Sequence, residues 1–221
     1  MIKIFYPALI VLMLLSCQNP SQTDNTQSYS AEPQVFVERF KYGVLPYSNY
    51  SLAIDTYISE NSPDTNNGAG VSFTVGRVTS INRGLLKFNI NYIQAGTVTV
   101  KKAYLTLISN GGTETAPTLR LYQPVFQFTD NSTWNQLLSY VNNILTPISS
   151  AVTIINTIGA ASTFEITPSV VQSWIDTYSS VTGIVIKSEN ETTDYRFSNF
   201  CSSENANVSY RPYLTVYYTL K

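Results

Sequence analysis

The sequence predicts an all-β protein: a jelly-roll-like sandwich of two antiparallel sheets carrying one or two short helices. Three observations predict it. Val, Ile, Thr, Tyr and Phe dominate, with 16 tyrosines alone, and these are the residues that fit a pleated, half-buried surface. The apolar runs are short and are punctuated by Asn, Ser, Gly and Pro, as strands joined by turns would be. In Arg83-Gly-Leu-Leu-Lys-Phe-Asn-Ile-Asn91, Leu86, Phe88 and Ile90 alternate with Lys87, Asn89 and Asn91, a period of two that marks a strand with one wet face.

The chain begins with an address. Met1-Ile-Lys3 is a short positive segment, and Ile4 to Leu15 is an apolar run interrupted by Pro7, too short to span a bilayer comfortably. Residues 1–16 therefore read as a signal peptide. Leu14-Leu15-Ser16-Cys17 resembles the bacterial lipobox, in which the cysteine sulfur receives a diacylglycerol and cleavage leaves Cys17 first. Each acyl CH₂ buried in lipid contributes about 0.8 kcal/mol, so two or three chains hold a folded domain on a membrane. The plainer reading is an ordinary signal peptide with an accidental cysteine. Residues 17–34 are polar, carry Pro20 and Pro33, and have no aliphatic residue but Ala31; they read as a flexible tether. The expected location is the bacterial cell envelope, lipid-anchored, in the periplasm or at the cell surface.

Residues 35–221 then form one domain. Val35 to Leu45 is a first strand, and Ser51 to Ser59 a second. Asn61 to Gly70 is a dense turn cluster in which Asn67-Gly68 suits positive φ. Val71 to Val78 is a strand with Val71, Phe73 and Val75 on one face. A central hairpin follows, its turn at Gln94-Ala-Gly96. In its second half Val98 and Val100 share one parity and Ala103, Leu105 and Leu107 the other, so a bulge at Lys101-Lys102, or a break there between two strands, keeps both sets on one core. Thr118 to Phe128 is a strand whose Pro124 places it at an edge or a bulge. Trp134, Leu137, Leu138, Val141, Ile144 and Leu145 recur at helical spacing; Thr133 with Gln136 makes a capping box, and Pro147 stops the helix. After a short strand at Ala151 to Ile158 and another at Phe164-Glu-Ile166, Thr167 and Pro168 are the N-cap and first residue of a second helix, with Val170, Val171, Trp174 and Tyr178 on one side. Trp174 is a core residue whose indole N–H needs an acceptor. Gly183 to Ser188, Tyr195 to Phe200 and Pro212 to Leu220 supply the last strands, about ten in all.

Composition excludes several chemistries. The chain has no histidine, which removes Ser-His-Asp and Cys-His catalysis and imidazole zinc sites. Net charge is −1 without a basic block, so nucleic acid is a poor partner. Cys201 has no partner if Cys17 is lipidated, and reads as a buried structural thiol.

Several pieces stand together in one order: Asp55-Thr-Tyr-Ile58, Asn67-Gly68, Val75-Gly76, Arg83-Gly-Leu-Leu-Lys-Phe88, Ala103-Tyr-Leu105, Phe164-Glu-Ile-Thr167, Val171-Gln-Ser-Trp174, Gly183, Phe197-Ser198, Glu204 and Arg211-Pro-Tyr-Leu214. Over about Ser51 to Tyr218 the chain resembles the DNRLRE domain family, also grouped as carbohydrate-binding module family 96. The resemblance implies a β-sandwich of secreted and surface proteins, some members being appended to enzymes that act on polysaccharides. The chain departs from it at Asn89, where an Asp usually follows the Phe, and in the helical, apolar stretch Thr133 to Ala161.

A polysaccharide partner, above all an anionic one, wants aromatic platforms, hydroxyl partners and cations. Lys87, Arg120 and Tyr122 on one outer sheet face, with Tyr57, are the candidates; the plainer reading makes them ordinary wet-face residues. Arg83 and Arg211 with Asp55 and Glu204 read as structural ion pairs. Asp64, Asn66 and Asn67 offer hard oxygens to calcium, although such residues also simply make turns. No other cofactor is expected, and no spacing advertises a catalytic carboxylate pair. The expected function is a surface-tethered, non-catalytic polysaccharide-binding module. A protein-contacting structural envelope lipoprotein is the alternative, and a lyase or hydrolase comes after it.

Overall fold

The computed structural model describes residues 32–48, 50, 53–141, 146–177 and 183–221. The expected signal peptide, Cys17 and nearly all of the expected tether lie outside these residues. The compact unit runs from Pro33 to Lys221. Its strands are β1 (Val35–Lys41), β2 (Ala53–Ser59), β3 (Ser72–Arg77), β4 (Ile81–Phe88), β5 (Val98–Gly112), β6 (Thr118–Gln123), β7 (Thr146–Pro147), β8 (Val152–Thr153), β9 (Ala161–Ile166), β10 (Gly183–Ser188), β11 (Arg196–Cys201) and β12 (Tyr213–Leu220); the helices are α1 (Trp134–Val141) and α2 (Pro168–Asp176).

The all-β sandwich is the observed class, and all named pairings are antiparallel. Hydrogen bonds join the twelve strands into one curled sheet in the order β1-β12-β5-β11-β3-β4-β10-β6-β7, with β2 on β4, β8 on β6 and β9 on β5. One layer is β1-β12-β5-β9. The other is built on β2-β4-β10-β6. The long strand β5 joins them, pairing with β12 and β9 through its first part and with β11 at Ser109 and Gly112. Phe40, Leu105, Phe164 and Leu214 from one layer meet Leu86, Leu119, Ile184 and Ile186 from the other in the main core.

Of the two expectations for Lys101-Lys102, a bulge or a break, the bulge is present. Tyr217 pairs with Lys102 and Tyr218 with Val100, so Lys101 is the extra residue, and Val98, Val100, Ala103, Leu105 and Leu107 are all buried. The expected central hairpin is not. β4 pairs with β2, β3 and β10, whereas β5 pairs with β12, β9 and β11. Residues 89–97 cross between layers instead of turning back, with Gly96 at φ +75.

β4 also lacks the wet face its alternation implies. Leu86 and Phe88 face the main core, but Leu85 on the opposite face is equally buried, in a second core with Ile58, Phe126, Phe128, Trp134, Leu137 and Val185. The segment after β6 and helix α1 fold over the outer side of the layer and cover it. α1 starts as the capping box predicts: the Thr133 N–H donates to Gln136 Oε1 at 3.1 Å, and the Gln136 N–H to Thr133 Oγ1 at 3.5 Å. The expected end of this helix at Leu145, and Tyr178 of the second helix, lie outside the described residues.

α2 begins at Pro168, but the Thr167 side chain does not cap it; its hydroxyl donates to the Ile148 carbonyl at 3.2 Å. The helix is held on β5 by Gln172, whose Oε1 accepts from the Val100 N–H at 2.8 Å and whose Nε2 donates to the Val98 carbonyl at 3.3 Å. Trp174 is buried as expected, yet among the described residues its indole N–H has no acceptor. Gly68 does not have positive φ. Glycine is required there because a Cβ would lie 2.3 Å from the Asp130 carbonyl oxygen.

Candidate functional site

Register places three of the four candidate ligand residues on one outer face. Lys87 lies opposite Gly183, Leu85 opposite Val185, and Val185 opposite Tyr122, while Arg120 lies opposite Lys187. They do not form one open site. Arg120 is paired with Glu189 at 3.1 Å, and the Tyr122 hydroxyl donates to the same carboxylate at 2.9 Å. Burial and the Glu189 charge push the Tyr122 hydroxyl up to about 12. Phe128 lies against Gly183, between Lys87 and Tyr122, so closely that a Cβ there would meet its ring at 2.5 Å. Tyr57 is on the other side of β2, packed against the main core.

The four residues expected to brace the sheet edges are also rearranged. Arg83 is buried and grips Glu191 with two prongs, Nε to Oε1 at 2.9 Å and Nη2 to Oε2 at 2.7 Å, beneath the Trp134 ring. Arg211 donates to two backbone carbonyls, of Asn205 at 2.9 Å and Tyr42 at 3.1 Å. Neither is within ion-pair distance of Asp55 or Glu204 among the described residues. Instead acid meets acid. The Ser203 hydroxyl lies 3.1 Å from Asp55 Oδ1 and 2.9 Å from Glu204 Oε1, and the Ser203 N–H donates to Asp55 Oδ2 at 2.6 Å. Asp55 is only 5% exposed, and burial with the neighbouring Glu204 raises its carboxyl to about 8, against the Ser203 hydrogen bonds that favour the charged form.

The turn residues considered for calcium make hydrogen bonds within and across the loops. Asp64 accepts from Asn135 Nδ2 at 2.9 Å, Asn66 donates to Asn131 at 2.7 Å and accepts from the Gly68 N–H, and Asn67 donates to the Tyr57 carbonyl at 3.0 Å. Cys201 is buried, and burial pushes its thiol up.

The open aromatic face is on the other layer. Along β12, Leu214 and Val216 point into the core, so Tyr213, Thr215 and Tyr217 point out. Their cross-strand rows run Lys41-Tyr213-Thr106-Thr163, Arg39-Thr215-Tyr104-Glu165 and Val37-Tyr217-Lys102. The tyrosines here are half-buried, with Tyr104 and Tyr217 edge to face at 5.9 Å. Arg39 and Lys41 sit over the Tyr213 ring at 4.8 and 5.1 Å. Burial and the neighbouring Arg39 and Arg211 lower the Lys41 ammonium's pKa. Among the described residues Arg39, Lys41, Lys101 and Lys102 have no ion-pair partner, whereas on the opposite layer Arg77, Arg83, Arg120 and Lys187 have one and Lys87 does not.

Chemically, this face offers half-buried tyrosine rings to sugar C–H groups and cations that can donate to hydroxyls and carboxylates, while Thr215 and Thr106 between them are buried. Sequence reasoning missed it as a unit. The period-two run Tyr213-x-Thr215-x-Tyr217 was the available signal, but its neighbours come from the far end of the chain.

No curated protein matches the chain. The family profile described as carbohydrate-binding module family 96 matches residues 46–218, from the loop after β1 into β12. That span takes in both layers and both helices, so the chain belongs to carbohydrate-binding module family 96.

Proposed function

We propose that the protein is a non-catalytic module, tethered to a membrane through lipidated Cys17 and the polar segment after it, that holds an anionic polysaccharide on the face of Tyr213, Tyr217 and Tyr104. One observation supports the choice of face and ligand: half-buried tyrosines lie among cations that have no carboxylate partner among the described residues, while on the opposite layer Arg77, Arg83, Arg120 and Lys187 are neutralised by Glu189, Glu191 and Asp194 and Lys87 is left unpaired. Unneutralised positive charge attracts a polyanion, and aromatic surface holds its sugar rings. The non-catalytic reading is supported by burial. Of the two carboxylates that meet, Asp55 is enclosed, away from any polymer lying on the surface.

The test is a glycan array with the full chain, weighted toward uronic-acid polymers and run with and without calcium. Expected is saturable binding to an anionic polymer that weakens with added salt and releases no product. Silence across the array from folded protein would overturn this reading in favour of an envelope lipoprotein that contacts protein. Acyl labelling of the full chain and of Cys17→Ala tests the anchor; equal labelling of both would remove it.

A further inference from the structure

β1 alternates, and its two sides meet different surroundings. Val35, Val37, Arg39 and Lys41 look outward with the tyrosine face, while Phe36, Glu38 and Phe40 look toward the interior, opposite Tyr218, Val216 and Leu214. Phe40 is fully buried, but Phe36 and Glu38 are half-exposed. Aromatic rings gather on this side of the strand. The Phe36 and Tyr218 rings stack at 5.8 Å, 19° apart. Tyr47, from the loop after β1, and Tyr92, from the crossing 89–97, lie 6.3 Å apart at 53° and are 44% and 62% exposed.

The two pairs flank Glu38: on the same side of β1, Phe36, which stacks on Tyr218, and Phe40, against which Tyr50 carries Tyr47, lie two residues to either side of it. Tyr47 is firmly backed. It packs edge to face on Tyr50 at 6.0 Å, and Tyr50 is buried against Phe40 with its hydroxyl donating to the Asn89 carbonyl at 3.0 Å. The result is two ring pairs to either side of one carboxylate along β1. Among the described residues Glu38 has no ion-pair partner. Burial raises its carboxyl, and its one hydrogen-bond influence is the Arg39 backbone.

We propose that Phe36, Glu38, Tyr47, Tyr92 and Tyr218 form a second carbohydrate site, one that takes a neutral pyranose residue. It rests on the carbohydrate-binding reading of the protein but not on the tyrosine face. The rings present apolar surface at two inclinations for sugar C–H faces. A carboxylate with two oxygens accepts hydrogen bonds from adjacent sugar hydroxyls. The same charge, with no ion-pair partner among the described residues, repels a uronate, so the two sides of β1 select opposite classes of sugar.

The experiment is calorimetric titration of the full chain with cellohexaose, xylohexaose, mannohexaose and laminarihexaose, in about 0.5 M NaCl to screen the cationic face. At least one neutral hexaose binds. Tyr92→Ala and Glu38→Gln each weaken it by about fivefold or more, the scale of one lost stacking or charged contact. Tyr217→Ala, which strips the outward face, leaves it intact. Both lesions lie at exposed or half-exposed positions, and thermal melts confirm that the variants are folded. The proposal is overturned if no neutral hexaose binds, if binding falls in Tyr217→Ala but not in Tyr92→Ala, or if a uronate polymer competes at this site. Polygalacturonate binding in low salt then shows separately whether the outward face still works.

Discussion

Arg83 and Glu191 are 108 residues apart in sequence and form a two-pronged ion pair in which the guanidinium is 4% exposed. Removing one partner of a buried pair leaves the other charge desolvated without its counterion, a loss of about 3 kcal/mol. Glu191→Ala therefore lowers the denaturation midpoint strongly, and Lys187→Ala, whose ammonium lies 3.8 Å from the same carboxylate near the surface, lowers it little. Urea unfolding of the two variants side by side checks this; similar midpoints would show that Glu191 does not anchor the outer core.

Asp55 gives the protein a pH dependence of definite sign. Its carboxyl is raised from an ordinary 3.8 to about 8 in the folded state. Below the unfolded value both states are protonated. Between the two values the folded state binds the extra proton, so stability falls as pH rises and is lost through about pH 8. Asp55→Asn, which keeps an acceptor for Ser203, flattens the melting temperature between about pH 5 and 9 and gains most at the alkaline end. An unchanged slope would mean that Asp55 is charged in the native protein.

Thr56 stands beside Leu85 in register and is 1% exposed, and its hydroxyl has no partner among the described residues. A buried hydroxyl without a hydrogen bond costs more than the methyl that would replace it. Thr56→Val should raise stability by about 1 kcal/mol. A loss of that size instead would reveal a partner for the hydroxyl.

On the outward face, Tyr213→Ala should weaken polygalacturonate retention in affinity electrophoresis about three- to tenfold. Lys102→Ala should reduce the salt dependence more than the stacking contribution, because its charge is exposed and unpaired among the described residues. Retention indifferent to both changes would remove this face from the binding reaction.

What the sequence disclosed follows the range of each interaction. The Lys101 bulge and the Thr133–Gln136 capping box were legible because parity and capping are local. The crossing at 89–97 was not, since alternation says that a strand has two faces but not which strand lies beside it. Leu85 shows the same limit. Its partners Phe128, Trp134 and Val185 arrive from distant segments and bury a face that its Lys and Asn neighbours advertise as wet. The candidate site failed for an electrostatic reason: Arg120 and Tyr122 were correctly placed on one face, but Glu189, which occupies both, is 67 residues beyond Tyr122. Tyr213 and Tyr217 had the right periodicity, but their cations come from other strands, Arg39 and Lys41 of β1 beside Tyr213 and Lys102 of β5 beside Tyr217.

The pairing of β1 with β12 also has a mechanical meaning. Val35 and Tyr213 stand at opposite ends of seven antiparallel rungs, a ladder about 20 Å long. If the chain hangs by its N-terminus while a polymer grips Tyr213, tension runs along the ladder. The rungs then carry the pull together in shear and do not peel open one by one. A strand that looks like the weak edge of the sheet would thus act as the strap of an anchor.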